Sequence, residues 1–122
     1  FEGQGSLVHP SYSAVTLGLL HGCSPHALIL CFEVGRTKVT GIDHLEIPPL
    51  SVIKHLNETM ASVWRPCPVI GVSMNSRKCT PEQAEVERQQ VQDELGLPVC
   101  DVFRDGPDVL VDEVLKFKAD RG

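Results

Sequence analysis

With 122 residues, the chain has room for one domain built on a single hydrophobic core. Its 42% hydrophobic content is too high for a disordered chain, and no apolar run approaches the ~18 residues of a membrane span. Sixteen Asp and Glu against 11 Lys and Arg leave a formal charge of −5 with neither half basic. That excludes the basic face of a phosphate-backbone binder, so neither nucleic acid nor a membrane is an expected partner.

The chain opens on Phe1 and passes at once into Glu2-Gly3-Gln4-Gly5, with no charged and apolar leader before it. This opening predicts a fragment, or a domain whose N-terminal partner lies outside the sequence, with Phe1 ending an earlier strand. Ser11 to His21 reads as the first helix. Ala27 to Phe32 is a continuous apolar run bounded by Pro25 and Gly35, too short for a helix, and reads as a strand covered on both faces. Residues 33–48 carry few helix or strand signals and read as a long connection, a kind of segment that is often functional. Pro49 opens a helix with Leu50, Ile53, Leu56, Met60 and Val63 at spacings of three and four. Residues 68–74 form a second apolar strand. Thr80-Pro81-Glu82-Gln83 is a capping box with Pro in the first turn, and the helix it opens stops at Gly96. Residues 97–102 read as a third strand. A last helix follows Asp105-Gly106-Pro107, with Leu110, Val111, Val114, Leu115 and Phe117 as its apolar face. Strands alternating with helices imply parallel crossovers, hence a single α/β domain over 1–122 with a mostly parallel sheet. A sheet cut at its first strand exposes an unpaired edge, from which a homo-oligomer is expected.

The five cysteines, Cys23, Cys31, Cys67, Cys79 and Cys100, are odd in number and widely spaced with no C-x-x-C, which argues against a disulfide framework or a zinc site. Reduced thiols fit a cytoplasmic protein. The histidines make no recognisable ligand pair.

Ligands of an open parallel sheet gather at the carboxyl ends of its strands. Four polar segments meet that edge: Glu2 to Gly5, Glu33 to Thr37, Asn75-Ser76-Arg77 and Arg104-Asp105-Gly106. Glycines there admit an anion to backbone N–H groups, and a carboxylate past a strand can hold magnesium through water. Asn75 can donate to and accept from a purine edge, and Arg36 or Arg77 can pair with phosphate or carboxylate. Turn chemistry accounts for Gly, Asn and Asp at such points equally well. Neither a G-x-x-x-x-G-K-[ST] loop nor a complete dinucleotide fingerprint occurs.

The stretch FEGQGSLVHPSYSAVTLGLLHGCSPHALILCFEVGRTKV resembles the C-terminal domain of a family of bacterial and archaeal proteins. That family was long labelled NAD-dependent epimerase/dehydratase-like, and some of its members are D-glutamate (D-amino-acid) N-acetyltransferases. The likeness continues through Ile47 to Leu50, Val69 to Arg77 and Gly96 to Val99, so it covers most of the chain. It implies a three-layer α/β/α, P-loop NTPase-like domain similar to the nucleotide-binding fold of dethiobiotin synthetase, as the C-terminal part of a larger nucleotide-binding domain. It further implies that Glu2, Gly3 and Gly5 match an acidic glycine turn near metal and phosphates, and that Asn75 matches a strand-end Asn facing the base. The phosphate-binding loop and its Lys would lie before Phe1.

Three functions follow as expectations. As an enzyme fragment similar to the D-glutamate N-acetyltransferases, inactive alone, the chain would use acetyl-CoA and a small amino-acid substrate. Glu2 and His9 are then base candidates, the N–H groups of Gly3 to Ser6 oxyanion donors, and Arg36 the carboxylate clamp. As an ATP-dependent ligase or NTPase domain it would hold magnesium through Glu2, with Gly3, Gly5, Asn75 and Arg77 around the nucleotide. As a non-catalytic α/β module it would complete a site with another chain.

Overall fold

The computed structural model describes residues 6–39 and 41–121. These residues cluster in two compact units, one from the residues up to Leu28 together with Arg36–Pro68, the other from Ile29–Gly35 and Val69 onward.

The second unit is built on a three-stranded sheet in the order β1 (Leu28–Glu33), β4 (Val69–Asn75), β5 (Val99–Cys100). The central strand, VIGVSMN, is apolar at almost every position, the pattern of a strand covered on its faces, and Val69, Val72 and Met74 are buried. β5 runs parallel to it, pairing Val72 with Val99 and Ser73 with Cys100. β1 runs the same way, since Leu28 N–H donates to Pro68 O and Val34 N–H to Asn75 O, both at 2.9 Å. The carboxyl ends of β1 and β4 therefore finish together, at Glu33 and Asn75.

Helix α3 (Pro81–Leu95) packs on β5 and buries Ala84 and Val91. Its capping box is formed as the sequence predicts: Gln83 N–H donates to Thr80 Oγ1 at 3.2 Å, and Thr80 N–H to Gln83 Oε1 at 3.1 Å. Gly96 ends it in the left-handed conformation at φ +66°. Helix α5 (Asp108–Arg121) packs against β4 and β5 through Leu110, which sits over Gly71. The broader apolar face expected for this helix does not form within the unit. Val111, Val114 and Leu115 are exposed, and Leu110 is the side chain of this helix that is buried. The third strand is also shorter than expected, two residues in place of 97–102, because Asp101 leaves the sheet to cap the short helix α4 (Val102–Asp105).

The first unit contains α1 (Ser13–Cys23), α2 (Leu50–Ala61) and a hairpin of β2 (Lys38–Val39) and β3 (Ile42–Glu46). The hairpin corrects the expectation of a connection without secondary structure over 33–48. Its strands are too short to show alternation, and pairing reveals them: Lys38 opposes Glu46 and their side chains make a 3.1 Å ion pair. α1 packs on α2, where His21 Nε2 lies 3.0 Å from Met60 O and its ring meets Trp64 edge-on. Arg65 donates to the Ser24 carbonyl at the left-handed C-cap of α1. Ile53, Ala61 and Cys67 are buried here.

Burial raises the thiol pKa of Cys67 and of Cys100; Asp105 and Asp101 push Cys100 further the same way. Iodoacetamide followed by mass mapping is expected to label the exposed Cys31 in the native protein and to reach Cys67 and Cys100 only on unfolding. Early labelling of either buried thiol would contradict the packing described here.

Candidate functional site: the strand-end rim of the β1–β4–β5 sheet

Local chemistry builds the rim. β4 ends at Asn75, whose Oδ1 accepts from Arg77 N–H at 3.1 Å, an Asx turn that reverses the chain directly after the strand. Ser76 follows, fully buried at 0% exposure, and faces Asp101, 2% exposed, at the end of β5. One oxygen of Asp101, Oδ2, accepts from the Ser76 hydroxyl and from Ser76 N–H at 3.1 Å. The other, Oδ1, accepts from Phe103 N–H at 3.1 Å and Arg104 N–H at 3.2 Å, capping α4. Burial opposes ionisation of Asp101, but the donors from Ser76, Arg104 and Phe103 outweigh it and hold the carboxyl below its ordinary pKa. Arg104 completes the knot. Its Nη2 donates to Ser76 O at 3.0 Å and to Cys79 O at 2.7 Å, while Nε stands 3.6 Å from Asp101 Oδ2. The loop 75–79 is thereby tied at both ends to α4 and its N-cap.

That fixed loop presents two cations. Arg77 and Lys78 are each 66% exposed along the side chain, and both lean on Glu33 at the end of β1, whose side chain is only 10% exposed. Lys78 Nζ lies 3.1 Å and Arg77 Nη2 3.7 Å from Glu33 Oε1. Among the described residues, one guanidinium and one ammonium head thus share a single carboxylate there. A neighbouring cleft of about 370 Å³, with Arg88, Asp101, Arg104 and Asp105 in its wall, is balanced differently. There Arg88 donates to both oxygens of Glu85 and to Gln92, so its charge is already matched. Among these groups the surplus positive charge belongs to Arg77 and Lys78, and that donor set fits a phosphate or carboxylate.

Of the residues singled out from the sequence, Asn75 and Arg77 meet on this rim. His9 and Arg36 belong to the other unit. There Ser11 N–H donates to His9 Nδ1 at 3.1 Å, and the ring lies 4.7 Å from that of Tyr12, tilted by 49°, in the turn entering α1. Glu2, Gly3 and Gly5 lie outside the described residues. Sequence reading set Glu33, Ser76 and Arg104 on this edge without their pairing, and it gave Lys78 and Asp101 no place in the site. One signal was available: an Asp directly after an apolar strand and two residues before Phe103 is in position to cap a helix. Among the described residues no group of His, Cys, Asp or Glu is arranged to hold a metal ion, and no helix is long and apolar enough to cross a membrane.

A parallel sheet with helices packed on it and a polar rim at its strand ends defines an α/β domain. The DUF1611 C-terminal P-loop domain matches residues 1–111, and the chain belongs to that family. It is 39% identical over 112 residues to a protein of Tritonibacter scottomollicae named D-glutamate N-acetyltransferase, covering 91% of this chain and 34% of that protein. It is 38% identical over 111 residues to a Pseudoalteromonas protein of the same name, covering 90% and 33%. The crystal structure of a DUF1611 family protein from Anabaena variabilis superposes with a TM-score of 0.89 at 38% identity, over 94% of this chain and 34% of that one. The chain thus spans about a third of the length of the relatives it matches.

Proposed function

We propose that this chain is the P-loop-type domain of an acetyl-CoA-dependent N-acetyltransferase whose acceptor is the amine of D-glutamate or a similar D-amino acid. The observation that carries the reading is the 38–39% identity, over nine-tenths of the chain, to two proteins bearing that name. The acyl donor supplies an acetyl group as a thioester, releasing the CoA thiol as the amine nitrogen takes the acyl carbon. The protein must deprotonate the ammonium group first and then stabilise the tetrahedral oxyanion. Glu2 and His9 are the proposed bases, the N–H groups of Gly3 to Ser6 the oxyanion donors, and Arg36 the group that holds the acceptor's carboxylate. Asn75 and Arg77 belong to the donor-binding rim, where Arg77 and Lys78 supply the positive charge that a phosphorylated ligand requires. Since the chain spans a third of its relatives' length, acetyl transfer by these 122 residues alone is not expected.

The test follows free CoA thiol from acetyl-CoA with D-glutamate, using this sequence within the full span its relatives share and, in parallel, the 122-residue chain alone. Release dependent on D-glutamate in the longer protein supports the reading. Release of phosphate from ATP, with no thiol formed, would replace it with a nucleotide-dependent ligase or NTPase.

A further inference from the structure

We infer that Arg77 and Lys78, held by Glu33, form a subsite for a phosphomonoester and that it distinguishes CoA from donors lacking the 3′-phosphate. The inference rests on the acetyl-CoA reading above and deepens it.

Three observations converge. First, the cluster lies at the paired ends of β1 and β4, the edge of a parallel sheet where ligands bind. Second, its charge is uneven in a way simple surface pairing does not require. Glu33 is nine-tenths buried while both cations stay two-thirds exposed, so the carboxylate anchors the two heads from beneath and leaves their remaining donors toward solvent. Third, the loop is rigidly built. The Asx turn at Asn75, the buried Ser76–Asp101 pair and the Arg104 bonds to the carbonyls of Ser76 and Cys79 fix the backbone from which both cations project. A protein of formal charge −5 that holds two adjacent cations on a braced loop is equipped to attract a compact dianion there.

A phosphomonoester dianion suits this arrangement better than a bridging phosphate. It offers three terminal oxygens to one guanidinium fork and one ammonium group, and its second charge offsets the surplus left after Glu33. CoA carries such a group on its ribose, and dephospho-CoA is the same molecule without it. The acceptor's carboxylate, singly charged, would gain less from two cations.

Isothermal calorimetry of CoA and dephospho-CoA binding to the full-length protein, wild type and R77A/K78A, separates the possibilities. Wild type is expected to bind CoA about tenfold or more tightly than dephospho-CoA, a difference of about 1.4 kcal/mol. The double variant should lose that preference while its affinity for dephospho-CoA stays within about twofold. Both substitutions are at exposed side chains, and an unchanged far-UV spectrum would confirm that the fold is kept. Equal wild-type affinity for the two ligands overturns the subsite. So does a double variant that weakens both ligands alike, which would assign the cations to the pyrophosphate. If wild type binds neither ligand, the acetyl-CoA reading itself fails and the subsite falls with it.

Discussion

Asp101→Ala is expected to destabilise the β1–β4–β5 unit by about 3 kcal/mol, more than any other single side-chain truncation on the rim. The carboxylate is 2% exposed and accepts from the Ser76 hydroxyl, from Ser76 N–H and from the N–H groups of Phe103 and Arg104. Truncation strands the Ser76 donors away from water, and each buried donor left without a partner costs on the order of 1–3 kcal/mol, while the part-buried N–H groups of Phe103 and Arg104 lose their cap. It also removes the anion facing the Arg104 guanidinium. Asp101→Asn keeps an acceptor for the α4 cap but turns an amide toward the Ser76 donors, so about half the loss is expected. The pH dependence has a definite sign. The native carboxyl pKa is lowered, so its contribution is fully present above the ordinary aspartate value of about 3.9. It is lost as pH falls through the lower native value. Urea midpoints measured from neutral pH down to about pH 2 should therefore fall more steeply for wild type than for Asp101→Asn below about pH 4. Hydrogen exchange at the Ser76 amide locates the effect. Unchanged midpoints in Asp101→Ala would show that the buried knot contributes nothing to stability.

Gly71→Val is expected to cost about 3 kcal/mol for a different reason, overpacking. Gly71 lies in the middle of β4, and a Cβ built on it meets Leu110 Cδ2 at 2.8 Å, Ile29 Cδ1 at 3.5 Å and Pro98 O at 3.8 Å. The first contact is below any ordinary carbon separation. Leu110 can turn its methyl group away from a single Cβ, so Gly71→Ala should cost only about 1 kcal/mol. The two further methyl groups of valine leave it nowhere to go, with Ile29 and the Pro98 carbonyl already adjacent. Thermal unfolding of the two variants checks the order. Equal stability of wild type and Gly71→Val would mean that α5 does not close over the strand.

Gly71 shows how far a one-dimensional reading reaches. A glycine within an apolar strand signals close approach of something, yet only the packing of α5 identifies Leu110 as that neighbour. The capping box of α3 was fully legible, because Thr80, Pro81, Gln83 and Gly96 act on backbone within one turn of themselves. So was β4, whose largely apolar run fits a strand covered on its faces. The hairpin over Lys38–Glu46 was illegible because strands this short carry no period, and the apolar face read into α5 was too wide because composition does not say which side chains reach the sheet.

The rim divides the same way. That polar residues after each strand would gather at one edge followed from the order of elements alone, since parallel crossovers place all carboxyl ends on one side. Which of those residues act together did not follow. Glu33 and Lys78 are 45 positions apart, and Ser76 and Asp101 are 25 apart. No local pattern links them. Their pairing is set by strand order and register, which bring β1 and β5 to either side of β4, and only the tertiary structure holds that information. Local propensity and the resemblance of long sequence blocks thus determined the fold class and the family. The braced loop, its buried carboxylates and the surplus positive charge were decided by contacts between residues distant in sequence, because burial and electrostatic pairing depend on distance in space.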